Sequence, residues 1–172
     1  MKLPAALALV GSILCGCSST TETPPLAVDS EETDGPPRKF AYTTLEGKLV
    51  SSKIYRGRMS VIVLFTTFDL ACQAQARFLN AVYARHTPRI NALLLVLEPP
   101  EHQVMVETFV ESFDLRYDIA MADAETIAGR GPFPGLHHVP STLLLDREGR
   151  EVWRSLGLVE EQALHEAITS HE

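Results

Sequence analysis

The stretch Val61-Ile62-Val63-Leu64-Phe65-Thr66-Thr67-Phe68-Asp69-Leu70-Ala71-Cys72 decides the fold. Met59 to Thr66 is an apolar run rich in Val and Ile, the pattern of a strand buried on both faces of a sheet. Beyond it, Phe78, Leu79, Val82 and Tyr83 recur at helical spacing, with Pro88 just past the end, which predicts a helix over 70–86. Asp69 stands immediately before that helix and is among the best N-cap residues, able to accept bonds from the unpaired first-turn amides. Cys72 then falls at N3, within reach of the helix dipole, while a carboxylate one turn away disfavours its thiolate. Two readings of Cys72 stay open: a buried structural thiol, or a one-cysteine site that forms mixed disulfides or a sulfenic acid.

Outward from this stretch the periodicities alternate. Phe40 to Thr44 and Lys48 to Ser52 flank Leu45-Glu46-Gly47 as a short hairpin. Ile90 to Leu97 reads as a second buried strand, Val104 to Phe113 as a helix, and Ala124 to Gly129 as a short helix. Ser141 to Leu145 and Glu151 to Leu156 flank the turn Asp146-Arg147-Glu148-Gly149, and Glu160 to Thr169 closes as a helix. The expected fold class is α/β, a mixed central sheet flanked by helices with an N-terminal β-hairpin extension. Residues 38–172 suit one domain with one core.

The first 37 residues are of another kind. Residues 1–16 read as a signal peptide, with Lys2 as the positive region and Leu7 to Leu14 as the apolar region, too short to span a bilayer stably. Leu14-Cys15-Gly16-Cys17 resembles a bacterial lipobox, which makes Cys17 the acylated residue and removes Cys15 with the signal. Residues 17–37 then form the lipidated Cys and a tether rich in Ser, Thr, Pro and acidic residues, a composition that cannot bury enough apolar surface to fold. Of three cysteines, only Cys72 remains as a thiol, so an intramolecular disulfide is excluded. Loss of Lys2 takes the net charge from −7 to −8, and no basic cluster is visible along the chain, which argues against nucleic acid or anionic lipid as a partner.

Two segments carry a family resemblance. Thr44-Leu45-Glu46-Gly47-Lys48-Leu49-Val50, Tyr55-Arg56-Gly57-Arg58 and the strand ending in Phe68-Asp69-Leu70-Ala71-Cys72 form the first. Val139-Pro140-Ser141-Thr142-Leu143-Leu144-Leu145-Asp146-Arg147-Glu148-Gly149-Arg150, followed by Gly157, forms the second. Together they resemble the TlpA/ResA-type periplasmic branch of the thioredoxin superfamily, related to the redoxins. That resemblance implies a thioredoxin-like fold, with Pro140 cis and facing the active-site helix start. It places Asp69 where the family has the nucleophilic first Cys of C-x-x-C, and Cys72 on the second. A full dithiol cycle needs both, because the first thiolate attacks a disulfide and the second resolves the mixed species.

The candidate site is therefore Cys72 as a redox thiol, Asp69 at the nucleophile's position, His138 beside them, and Phe68, Val139 and Pro140 as substrate contacts. The implied partner is an exported protein or peptide, held noncovalently or through a mixed disulfide, with the membrane reached through the N-terminal lipid and no nucleic acid. No cofactor or metal is expected. The implied location is the bacterial cell envelope facing the periplasm, and Ser18 at +2, lacking the aspartate that retains lipoproteins at the inner membrane, points to the outer membrane. Function divides into a one-cysteine redox protein and a non-catalytic module that binds an exported polypeptide. Two lesser readings are a one-cysteine peroxidase, although Asp69 stands where that family has its Thr, and copper binding of the Sco type through Asp69, Cys72 and His138. The Gly- and Pro-rich loop 129–135 reads either as the wall of a groove beside Pro140, with Phe133 as an exposed apolar contact, or as a rigid turn without a role.

Overall fold

A computed structural model describes residues 35–136 and 138–172. The signal peptide, Cys17, most of the tether and His137 lie outside the described residues. A hairpin of β1 (Ala41–Thr43) and β2 (Leu49–Ser51) is followed by the single turn α1 (Ser52–Tyr55). The central sheet uses β3 (Met59–Phe65), β4 (Ile90–Val96), β5 (Asp118–Met121), β6 (Ser141–Leu145) and β7 (Glu151–Leu156). Its order is β5-β4-β3-β6-β7, with β3, β4 and β5 parallel, β6 antiparallel to β3 and β7 antiparallel to β6. The helices are α2 (Leu70–His86), α3 (Gln103–Ser112), the single turn α4 (Ala124–Ile127) and α5 (Glu161–His171).

The unbroken apolar runs are explained by a core on each side of the sheet. Val61, Val63 and Phe65 of β3 join Ala92, Leu94 and Val96 of β4 in one cluster, covered by Leu79 and Val82 of α2 and Leu164 and Ile168 of α5. The alternate residues Ile62, Leu64, Leu93 and Leu95 face the other way, onto Phe40, Tyr42 and Val50 of the hairpin segment and Tyr55 of α1. The hairpin is thus a lid on the second face, joined to the central sheet through a bridge between Thr44 and Ala120.

Two elements depart from the expected pattern. β5 has only four residues and no alternation, the buried Ile119 and Ala120 lying side by side between the half-buried Asp118 and Met121. So short a strand carries too little periodicity to separate it from a loop. Phe133 is buried, not exposed: its ring packs 5.7 Å from Phe40, and loop 129–135 closes the second core. Gly131 permits this approach, because a Cβ there would come within 2.4 Å of the Thr126 hydroxyl.

Candidate functional site

At the C-terminal end of β3 the chain leaves the sheet through Thr66, Thr67 and Phe68 and enters α2. Asp69 is the N-cap, in extended backbone (φ −93°, ψ 127°), and its Oδ1 accepts the Cys72 amide at 2.9 Å. The Asp69 carbonyl accepts the Gln73 amide at 3.0 Å, and the Gln73 side-chain amide donates to the Thr67 carbonyl at 2.9 Å. The turn is thus closed by a carboxylate bonded inward to its own helix.

Cys72 is fully buried, in the same cluster as Val61, Val63, Phe65 and Ala76. Burial pushes its thiol up from 9.0 to about 11. Hydrogen bonding to Thr66 opposes that rise, and the negative charge of Asp69 adds to it. At neutral pH the move from 9.0 to about 11 lowers the thiolate share about 100-fold.

Behind the turn lies a residue that sequence reasoning passed over. Glu98, just after β4, is 3% exposed, and its Oε1 accepts both the Thr67 amide at 2.5 Å and the Thr67 hydroxyl at 2.8 Å. Its Oε2 lies 3.1 Å from His102 Nδ1. The signal was an acidic residue directly continuing a buried strand, at a position where carboxylates are seldom buried unless paired.

Val139–Pro140 is a cis peptide bond, as the resemblance implied. Pro140 is buried, its carbonyl accepts the Gly157 amide at 2.8 Å, and Val139 packs on the cluster that contains Cys72. His138 is exposed, and its carbonyl accepts the Ser141 hydroxyl at 2.6 Å. Among the described residues no three His, Cys, Asp or Glu side chains come together as a metal-ligand set, so Asp69, Cys72 and His138 do not form one.

Around this buried thiol the surface is apolar. Phe68 and Leu70 are 63% and 80% exposed, and Val104 on α3 is 73% exposed. Phe68 meets His102 edge-on at 5.5 Å and forms one wall of an open groove of about 840 Å³, continued by Val104, Met105, Phe109 and Phe113. Arg77 sits 4.5 Å over the Phe113 ring at one end, and Glu101 lies on the rim.

No family model matches the chain. Among solved structures, a DsbF homologue from Corynebacterium diphtheriae superposes with a TM-score of 0.69 at 20% identity, covering 79% of this chain and 86% of its own. A secreted Mycobacterium tuberculosis disulfide oxidoreductase homologous to E. coli DsbE gives 0.64 at 18% identity, over 76% and 95%. The fold is thioredoxin-like. In sequence the chain is similar to the thiol-disulfide oxidoreductase ResA of Bacillus cereus, 25% identical over 152 residues, covering 84% of this chain and 83% of the relative. This thioredoxin-like domain has a cis Val139–Pro140 bond and a strand-to-helix turn capped by Asp69, with Cys72 buried in the first turn of α2. Among its described residues no helix is long and apolar enough to cross a membrane.

Proposed function

We propose that this protein is a non-catalytic thioredoxin-fold module, related to the thiol-disulfide oxidoreductases, that binds exported polypeptides. One observation carries the reading: Cys72, the only free cysteine among the described residues, is fully buried with its thiol held up at about 11. A sulfur with no exposed surface and little thiolate neither attacks a disulfide nor meets a peroxide. That weighs against the one-cysteine redox reading and the peroxidase reading together.

Binding remains because its parts are independent of the thiol. Phe68 and Leu70 project from the turn, Val139 packs on the cluster that holds Cys72, and the apolar groove extends from Phe68 along α3. Exposed apolar groups concentrated at a rigid turn suit an extended, unfolded partner. The signal sequence and the lipobox at Cys17 would hold the module in the cell envelope, and Ser18 favours the outer membrane.

Two assays on the same preparation test this. Insulin reduction by dithiothreitol should proceed at the uncatalysed rate. Fluorescent, reduced and carboxymethylated α-lactalbumin, which cannot refold, should bind; binding should survive Cys72→Ala and be lost in Phe68→Ser/Leu70→Ser. Accelerated insulin reduction that disappears in Cys72→Ala would overturn the proposal in favour of the redox reading.

A further inference from the structure

We propose a phosphate-binding site at the opposite pole of the domain, in a pocket of about 310 Å³ lined by Gly57, Arg58, Met59, Arg89, Arg147 and Glu172. The chain is acidic, with 22 Asp and Glu against 15 Lys and Arg, yet three of the four charged residues in this pocket are arginines. They come from three separate segments: the turn before β3, the loop between α2 and β4, and the β6–β7 turn. All three lie where β3 and β4 begin and β6 ends, so only the fold brings them together. The sequence shows no basic cluster because the three positions are dispersed along the chain.

The guanidinium groups are under-used. Arg58 donates to the Pro88 carbonyl at 3.1 Å. Arg89 reaches Glu172 only at 3.6 Å, beyond hydrogen-bonding distance. The Arg147 side chain has no hydrogen bond or ion pair among the described residues, while its carbonyl accepts the Gly57 amide at 2.8 Å and ties two of the turns together. Gly57 has φ +90°, and a Cβ there would meet no atom, so the space above it is open. Glu172 is also 3.6 Å from the buried Nδ1 of His86, so this one carboxylate lies between that ring and Arg89 without a close hydrogen bond to the guanidinium. Planar forks arriving from three directions match a tetrahedral oxyanion, which offers several acceptor oxygens and up to two negative charges. The Arg38 amide donates to the Gly149 carbonyl at 2.8 Å, so the chain joins the domain beside this pocket. A phospholipid headgroup and a soluble phosphate ester are the two sources of that chemistry.

The test uses the full chain carrying Cys17→Ser, so that no acyl chain forms. Inorganic phosphate is titrated while the arginine Nε–H resonances are followed, and co-sedimentation is compared for phosphatidylglycerol and neutral phosphatidylcholine vesicles. Arg89→Gln/Arg147→Gln should weaken binding about tenfold or more without lowering the melting temperature; Arg147→Gln alone, whose side chain has no partner, serves if the double variant does not fold. Saturable phosphate binding that the variants weaken, without excess binding to phosphatidylglycerol, assigns a soluble ester. Excess binding to phosphatidylglycerol that the variants remove assigns the headgroup. Absence of both effects, or phosphate binding that the variants leave unchanged, overturns the site.

Discussion

Replacing Asp69 separates two roles that the turn combines. Its carboxylate satisfies the Cys72 amide as the N-cap of α2 and adds negative charge beside the thiol. Removing a side-chain cap costs about 1 kcal/mol, and losing an anion at a helix N-terminus adds about 0.5 kcal/mol. Asp69→Ala should therefore lower stability by about 1.5 kcal/mol, or about 5 °C in melting temperature for a domain of this size. Asp69→Asn keeps an acceptor and loses only the charge, so its cost should be about 0.5 kcal/mol. Urea unfolding followed by circular dichroism, with m-values compared, measures both. Burial, ahead of Asp69, is the main reason the Cys72 thiol is held up, so neither variant should make it react quickly. Equal stability of wild type and Asp69→Ala would refute the capping argument. Fast alkylation of Cys72 in a folded Asp69→Ala would show that the carboxylate, and not burial, silences the thiol.

Glu98→Ala should cost about 2–4 kcal/mol, because it orphans the buried Thr67 amide and hydroxyl together, whereas Glu98→Gln should cost clearly less; thermal melts of the pair decide this. Phe68→Ser should leave stability within about 0.5 kcal/mol, since the ring is 63% exposed, while reducing binding of the unfolded probe several-fold. Burial holds His86 below its ordinary 6.5, Glu172 opposes, and His165 and Arg89 push the same way as burial. A depressed folded value favours the neutral ring, so its contribution is complete above pH 6.5 and is lost as pH falls toward the folded value. Urea midpoints should accordingly drop below pH 6.5, and His86→Gln should flatten that drop.

The sequence exposed those parts of the fold in which local pattern and burial agree. Met59 to Phe65 and Ile90 to Val96 are continuous apolar runs because each has a core on both faces, and α2 carries its stop signal at Pro88. β5 stayed hidden because four residues with two buried positions carry no period, and because its place is set by pairing with β4. Phe133 was misread because Gly and Pro around it signal a loop without saying what the loop covers. At the site, the N-cap position of Asp69 is legible from the strand-to-helix pattern, but the burial of Cys72 is not, since N3 of a helix can face either the sheet or solvent. Glu98 could not be placed either, because its partner Thr67 lies 31 residues away and meets it only across the ends of adjacent strands.

The most direct test of a silent thiol is the pH dependence of Cys72 alkylation in the folded protein, followed by peptide mass mapping so that Cys15 and Cys17 do not interfere. Labelling should be slow from pH 6 to pH 9 and become fast only when urea unfolds the chain, because the sulfur has no exposed surface and burial pushes its thiol up to about 11. Rapid labelling of the native protein, with a midpoint below the free-thiol value of about 8.5, would contradict the account and restore Cys72 as a working redox site.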